Sequence, residues 1–226
     1  MISPLKTGAH ERQVTVLSDG HRLEGTLVVP SAARGVVLFA HGSGSGRFSP
    51  RNQYVAGVLQ EAGLATLLLD LLEEEESEDR AKVFDIELLA GRLQDAADWL
   101  TWDDDTNGLR LGLFGASTGA GAALVAAARQ PESVAAVVSR GGRPDLARNQ
   151  LPAVKAPTLL IVGGADDVVV ELNQQALARL RCPAELVIIP GATHLFPEKG
   201  ALEAVARLAR KWFLRHLALP VNPGAD

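Results

Sequence analysis

The chain has 226 residues, 47% hydrophobic and 22% charged, a balance that excludes disordered and low-complexity classes and is enough for one well-cored α/β domain. Its net charge is −5 and only 4% of its residues are aromatic, so phosphate neutralisation and base stacking both lack their residues. Nucleic acid and anionic membrane surfaces are thereby excluded as partners.

Cys182 has no second cysteine to pair with, and no His/Cys set stands at zinc-ligand spacing. The opening segment lacks the apolar core of a secretory signal. The longest apolar runs, Gly35 to Ala40 and Leu64 to Leu72, are far shorter than the ~20 residues of a bilayer span. A reducing, cytoplasmic setting is the expectation.

In chain order, Gln13 to Leu17 and His21 to Val29 flank Asp19-Gly20, the dipeptide of a tight hairpin. The segments Val36 to Ala40, Ala65 to Leu69, Leu109 to Phe114, Val134 to Val138, Thr158 to Val162 and Glu185 to Ile189 are short and almost continuously apolar, as strands buried on both faces are. Helical stretches lie between and after them: Gln53 to Ala62, Arg80 to Trp102, Gly119 to Gln130, Glu171 to Arg181 and Ala201 to His216. The alternation predicts a mainly parallel eight-stranded sheet with helices on both faces. Leu202, Val205, Leu208, Ala209, Trp212 and Phe213 form a stripe on the last helix, read as core. The run Glu73 to Asp79 reads as a solvated loop leading into a helix. Residues 1–219 make one domain, and 220–226 a flexible tail.

Chemistry concentrates at Gly115-Ala116-Ser117-Thr118-Gly119, between a strand and an Ala-rich helix. A nucleophile on such a turn has a strained backbone, and glycine on either side removes the steric conflict. Composition alone yields about 0.1 such pentapeptides in a chain of this length, so the flanking strand and helix carry the argument. A serine hydroxyl needs a base and an orienting group. Asp166 and Asp167 follow the strand ending at Val162, and His194 follows the strand ending at Ile189. All three positions fall at carboxyl ends of strands, where open α/β sheets form their crevice.

The order Ser, Asp, His and the strand contexts resemble the α/β-hydrolase fold without a cap domain, specifically the dienelactone-hydrolase-like group, from about Val36 to His216. The resemblance implies Ser117 as nucleophile, His194 as base and Asp166 as acid, since Gly163-x-x-Asp166-x-x-Val169 matches the family's acid loop. It also implies an oxyanion hole made by backbone N–H groups of Ser43, in Phe39-Ala40-His41-Gly42-Ser43-Gly44, and of Thr118. Dienelactone hydrolases proper have cysteine where this chain has Ser117, which shifts the expectation toward a serine esterase. Cys182, before a strand and away from the crevice, reads as inert.

The glycines from Gly42 to Gly46 lack the Lys-Ser/Thr ending of a P-loop and the spacing of a dinucleotide loop. His41 and Gly42 are placed at the substrate, with His41 read chiefly as a residue that holds its loop. Only Ser139 to Pro157 separates two late strands, too short for a cap domain, so the site is expected to be shallow, open and suited to short or medium acyl groups. Arg140 or Arg143, in that segment, is available to bind a substrate carboxylate, against a reading in which arginine fixes the loop by pairing with Asp145. Arg47 and Arg51 are expected to fix loops.

The expected activity is hydrolysis of carboxylic esters through an acyl-enzyme, with thioesters, lactones or small amides as alternative substrates and a hydrolase-fold binding protein as the non-enzymatic alternative. The mechanism calls on no metal or organic cofactor. The expected partner is a small-molecule ester, with a homodimer left open.

Overall fold

The computed structural model describes residues 8–218, and the tail expected over 220–226 lies outside the described residues. Strands β1 (Ala9–Ser18) and β2 (His21–Pro30) form the expected antiparallel hairpin. Asp19 and Gly20 both have positive φ, 46° and 83°, as the tightest two-residue turn demands. Strands β3 (Val36–Ala40), β4 (Ala65–Leu69), β5 (Leu111–Ala116), β6 (Val134–Arg140), β7 (Thr158–Gly163) and β8 (Ala184–Ile189) complete one eight-stranded sheet in the order β1-β2-β4-β3-β5-β6-β7-β8. Every pair from β4 to β8 is parallel, and β2 joins β4 antiparallel.

Helices α1 (Pro50–Glu61) and α7 (Ala201–Leu217) cover one face. Their apolar sides enclose Phe39, Phe114, Val138 and Ile161. On α7, Val205, Ala209, Trp212 and Phe213 are buried as the stripe predicted, while Leu202 and Leu208 are only partly covered. The opposite face carries α4 (Ile86–Trp102), α5 (Thr118–Arg129) and α6 (Asp167–Arg179). Helix α5 is buried from Thr118 to Ala127, because alanines and glycines let it approach the sheet closely while neighbouring elements cover its outer side.

Three local expectations are corrected. The helix expected over Arg80 to Trp102 is two, α3 (Arg80–Val83) and α4, since the Asp85 carboxylate caps α4 by accepting from the Leu88 N–H at 3.0 Å. The acidic run is not a solvated loop throughout. Glu74–Ser77 form a helical turn, α2, and Glu76 is buried against Arg92, with contacts of 2.6 and 2.9 Å. Strand β8 is an edge strand with no fully buried residue, where buried faces on both sides were expected.

Between β6 and β7, Pro144–Ala153 is a run of 3-10 turns, and no cap domain is present among the described residues. No described helix is long and apolar enough to cross a membrane.

Candidate active site

Strand β5 runs straight into α5, and Ser117 at the junction has φ 51° and ψ −121°, a conformation a serine adopts only under steric constraint. The turn is possible because its flanks lack side chains. A Cβ on Gly119 would fall well inside contact distance of the Ala40 and His41 carbonyl oxygens, and one on Gly115 would strike the Ala120 backbone. The Ser117 amide donates to the Arg140 carbonyl at 3.2 Å, and the Arg143 amide donates to the Ser117 carbonyl at 3.0 Å. The elbow is thus locked to the end of β6.

His194, after β8, and Asp166, after β7, converge on Ser117. His194 Nε2 lies 3.3 Å from Ser117 Oγ, and Nδ1 lies 2.7 Å from Asp166 Oδ2. Each imidazole nitrogen therefore faces one partner, the geometry in which a histidine accepts a hydroxyl proton while a carboxylate fixes its tautomer. Asp167 is the exposed first residue of α6.

The His41 loop lies across the elbow. Gly42 is so close that a Cβ there would sit 3.0 Å from the Ser117 Cβ. His41 Nε2 accepts from the Leu71 amide at 2.9 Å, and Nδ1 faces the Gly42 carbonyl at 3.1 Å. Both nitrogens are engaged by backbone, and burial pushes the ring's pKa down, so His41 stays neutral and holds its loop instead of offering a polar group to substrate. The Ser43 N–H donates to Thr118 Oγ1 at 3.0 Å, joining the two residues expected to form the oxyanion hole through a hydroxyl that sequence reasoning passed over. From this loop an open groove of about 1140 Å³ extends past Phe48, Arg51 and Asp70 toward Leu72.

The two candidate arginines part company. Arg143 is paired with Asp145, with contacts of 2.9 and 2.8 Å, the loop-fixing arrangement. Arg140 is only 7% exposed and pairs with no carboxylate among the described residues. Arg47 is fixed by Asp70. The buried Asn173 was not singled out by sequence, yet its side-chain amide donates to the Gly142 carbonyl at 3.0 Å and fixes the loop after Arg140. Only its placement beneath that loop reveals it. Cys182 is half-buried beside Thr158, and burial raises its thiol pKa, in keeping with an inert thiol.

His21, Glu73 and Glu76 also gather their ligand atoms within 4.8 Å. Their groups are taken up by protein contacts, His21 with Glu73 and Glu76 with Arg92 and Lys82.

The family model for the dienelactone hydrolase family matches residues 23–218. The chain belongs to the dienelactone hydrolase family. The match begins at Leu23, ahead of the Val36 from which the motifs alone carried the likeness. A crystal structure of dienelactone hydrolase from Anabaena variabilis is 61% identical, with a TM-score of 0.90, covering 92% of this chain and 99% of that one. The esterase Pf2001 of Pyrococcus furiosus, at 18% identity, shares the fold with a TM-score of 0.79 over 92% of this chain and 94% of its own. Proteins of two Mycobacterium tuberculosis strains, provisionally named phosphoribosyl transferase, are 59% identical over 214 residues, 95% of this chain and 48% of theirs. The chain spans about half the length of those curated relatives.

Proposed function

We propose that the chain is a serine hydrolase of carboxylic esters. The observation that carries this reading is the placement of one imidazole within hydrogen-bond reach of both Ser117 Oγ and Asp166. His194 removes the Ser117 proton as Oγ attacks the ester carbonyl, and Asp166 holds the ring and stabilises its charged form. The tetrahedral oxyanion is received by the amides of Ser43 and Thr118. Thr118 opens α5, where amides lack helical partners and the dipole favours negative charge. The substrate oxygen shares the Ser43 N–H with the Thr118 hydroxyl or displaces it. His194 then protonates the leaving alcohol, and water attacks the acyl-enzyme through the same base.

The open groove and the absence of a cap among the described residues support short or medium acyl groups over long lipids. A lactone is the second reading, favoured by the name of the Anabaena variabilis protein. The transferase name belongs to proteins twice as long, and a Ser-His-Asp line gives no reason to carry it to this chain.

The test is hydrolysis of p-nitrophenyl esters from acetate to long-chain acyl groups by the wild type and by Ser117→Ala. Short-chain turnover that vanishes in the variant is expected. A wild type inactive on every ester, or a variant as active as the wild type, overturns the reading.

A further inference from the structure

Arg140 ends β6 in register with Ala116 of β5, and its own carbonyl accepts the Ser117 amide. The residue is 7% exposed, Nε is buried with no hydrogen-bond partner, and no ion pair reaches the guanidinium among the described residues. Arginine is almost never buried unless paired, because an isolated charge loses its hydration with nothing to replace it. Three other arginines do have a carboxylate partner: Arg47 has Asp70, Arg143 has Asp145 and Arg92 has Glu76.

The surroundings of Arg140 add positive charge instead of removing it. Burial first, and the nearby charge of Arg51 second, lower the Arg140 pKa to about 10. Arg140 stays protonated at neutral pH all the same. The Arg51 Nε is also buried without a partner. Arg51 stands in the first turn of α1, whose N-cap residue Ser49 makes no side-chain capping bond, so the positive end of that helix is added to the two guanidinium groups. The Arg140 guanidinium carbon lies 6.0 Å from the centre of the Phe196 ring. Phe196 has φ 56°, a left-handed conformation that is a true outlier for a bulky residue and accumulates at functional sites.

We propose that Arg140 and Arg51 receive a dianionic oxygen group, a phosphate monoester or phosphonate, carried by the substrate beside its scissile carbonyl. The inference rests on the hydrolase reading above and deepens it by naming the substrate class. The dianion follows from charge balance: two guanidinium groups without carboxylates carry two positive charges, and a single carboxylate would leave one uncompensated. Arg51 lines the same groove as Ser43 and Thr118, so a group held there stays on the molecule being cleaved. Planar guanidinium groups and a helix start both suit a phosphoryl group.

The test compares methyl butanoate, monomethyl succinate and methyl 3-phosphonopropanoate by pH-stat, at a pH where the phosphonate is doubly ionised. Wild type, Arg140→Met and Arg51→Met are used, and the thermal shift produced by inorganic phosphate is measured in parallel. In the wild type, kcat/KM for the phosphonate ester is expected to exceed that for the butanoate by at least about tenfold. Each variant is expected to collapse that ratio toward one and to lose the phosphate-dependent rise in Tm. A wild-type ratio near one, or a preference that survives both substitutions, overturns the proposal. A succinate ester favoured over the phosphonate overturns the dianion. If no ester is turned over yet phosphate still stabilises the wild type and neither variant, the anion site stands and the hydrolase reading fails. Turnover without charge preference or phosphate shift overturns the anion site and leaves the hydrolase reading standing. Should Arg140→Met fail to fold, Arg51→Met, at a half-buried surface position, carries the same comparison.

Discussion

The Ser43 amide donates to the Thr118 hydroxyl across 3.0 Å, so the loop after β3 and the first residue of α5 are joined directly beside Ser117. On the proposed mechanism, that hydroxyl holds the Ser43 N–H in place until a substrate oxygen takes it. Thr118→Val, which keeps the shape and loses the acceptor, is expected to lower kcat on the order of tenfold, the worth of one oriented hydrogen bond. Thr118→Ser should retain most of the activity, and steady-state kinetics on one ester series checks both.

Within the triad, each residue is expected to be needed for the same step. Ser117→Ala, His194→Ala and Asp166→Asn should each lower kcat by roughly 10³- to 10⁴-fold or more, and the losses should not add in the double variants, because the three act as one unit. Additive losses would contradict the shared step.

Gly119 meets two carbonyl oxygens where a Cβ would stand. Gly119→Ala must push apart the elbow and the end of β3, both at the centre of the sheet. A loss of about 2–4 kcal/mol in stability, or failure to accumulate as folded protein, is expected. Chemical denaturation measures it.

The Glu76–Arg92 pair is buried on both sides, at 6% and 2% side-chain exposure. Arg92→Met leaves the buried Glu76 carboxylate with Lys82 as its remaining cation and is expected to cost about 3 kcal/mol, while Glu76→Leu combined with Arg92→Leu should come close to neutral. The Arg92 guanidinium, with Lys82 also contributing, holds the Glu76 carboxyl down to about 2 from an ordinary 4.5. A carboxyl depressed in the folded state stabilises fully above its unfolded pKa. That contribution is therefore present above about pH 4.5 and is lost as the pH falls toward 2. Thermal melts across that window should show a steeper fall in Tm for the wild type than for the double leucine variant.

The sequence alone determined the alternation of strand and helix, the Asp19-Gly20 hairpin, the elbow at Ser117 and the order in which Asp166 and His194 follow, because each rests on local constraint. Apolar period, turn chemistry and the glycines two residues from Ser117 are all properties of neighbours in the chain. Sequence leaves Arg140 and Arg143 as equal candidates, and places the acidic run in solvent. Only the tertiary structure separates the arginines, since it closes the Arg143–Asp145 pair while burying Arg140 at the carboxyl end of β6, with Arg51 and Phe196 brought near it from 89 and 56 positions away. Glu76 reads as exposed because its own neighbours are acidic, and it is buried because Arg92 on α4 reaches it across the packed layer. Charge burial depends on which partner arrives through space, and that is decided by packing of distant segments, whereas a backbone turn is decided by the residues that make it.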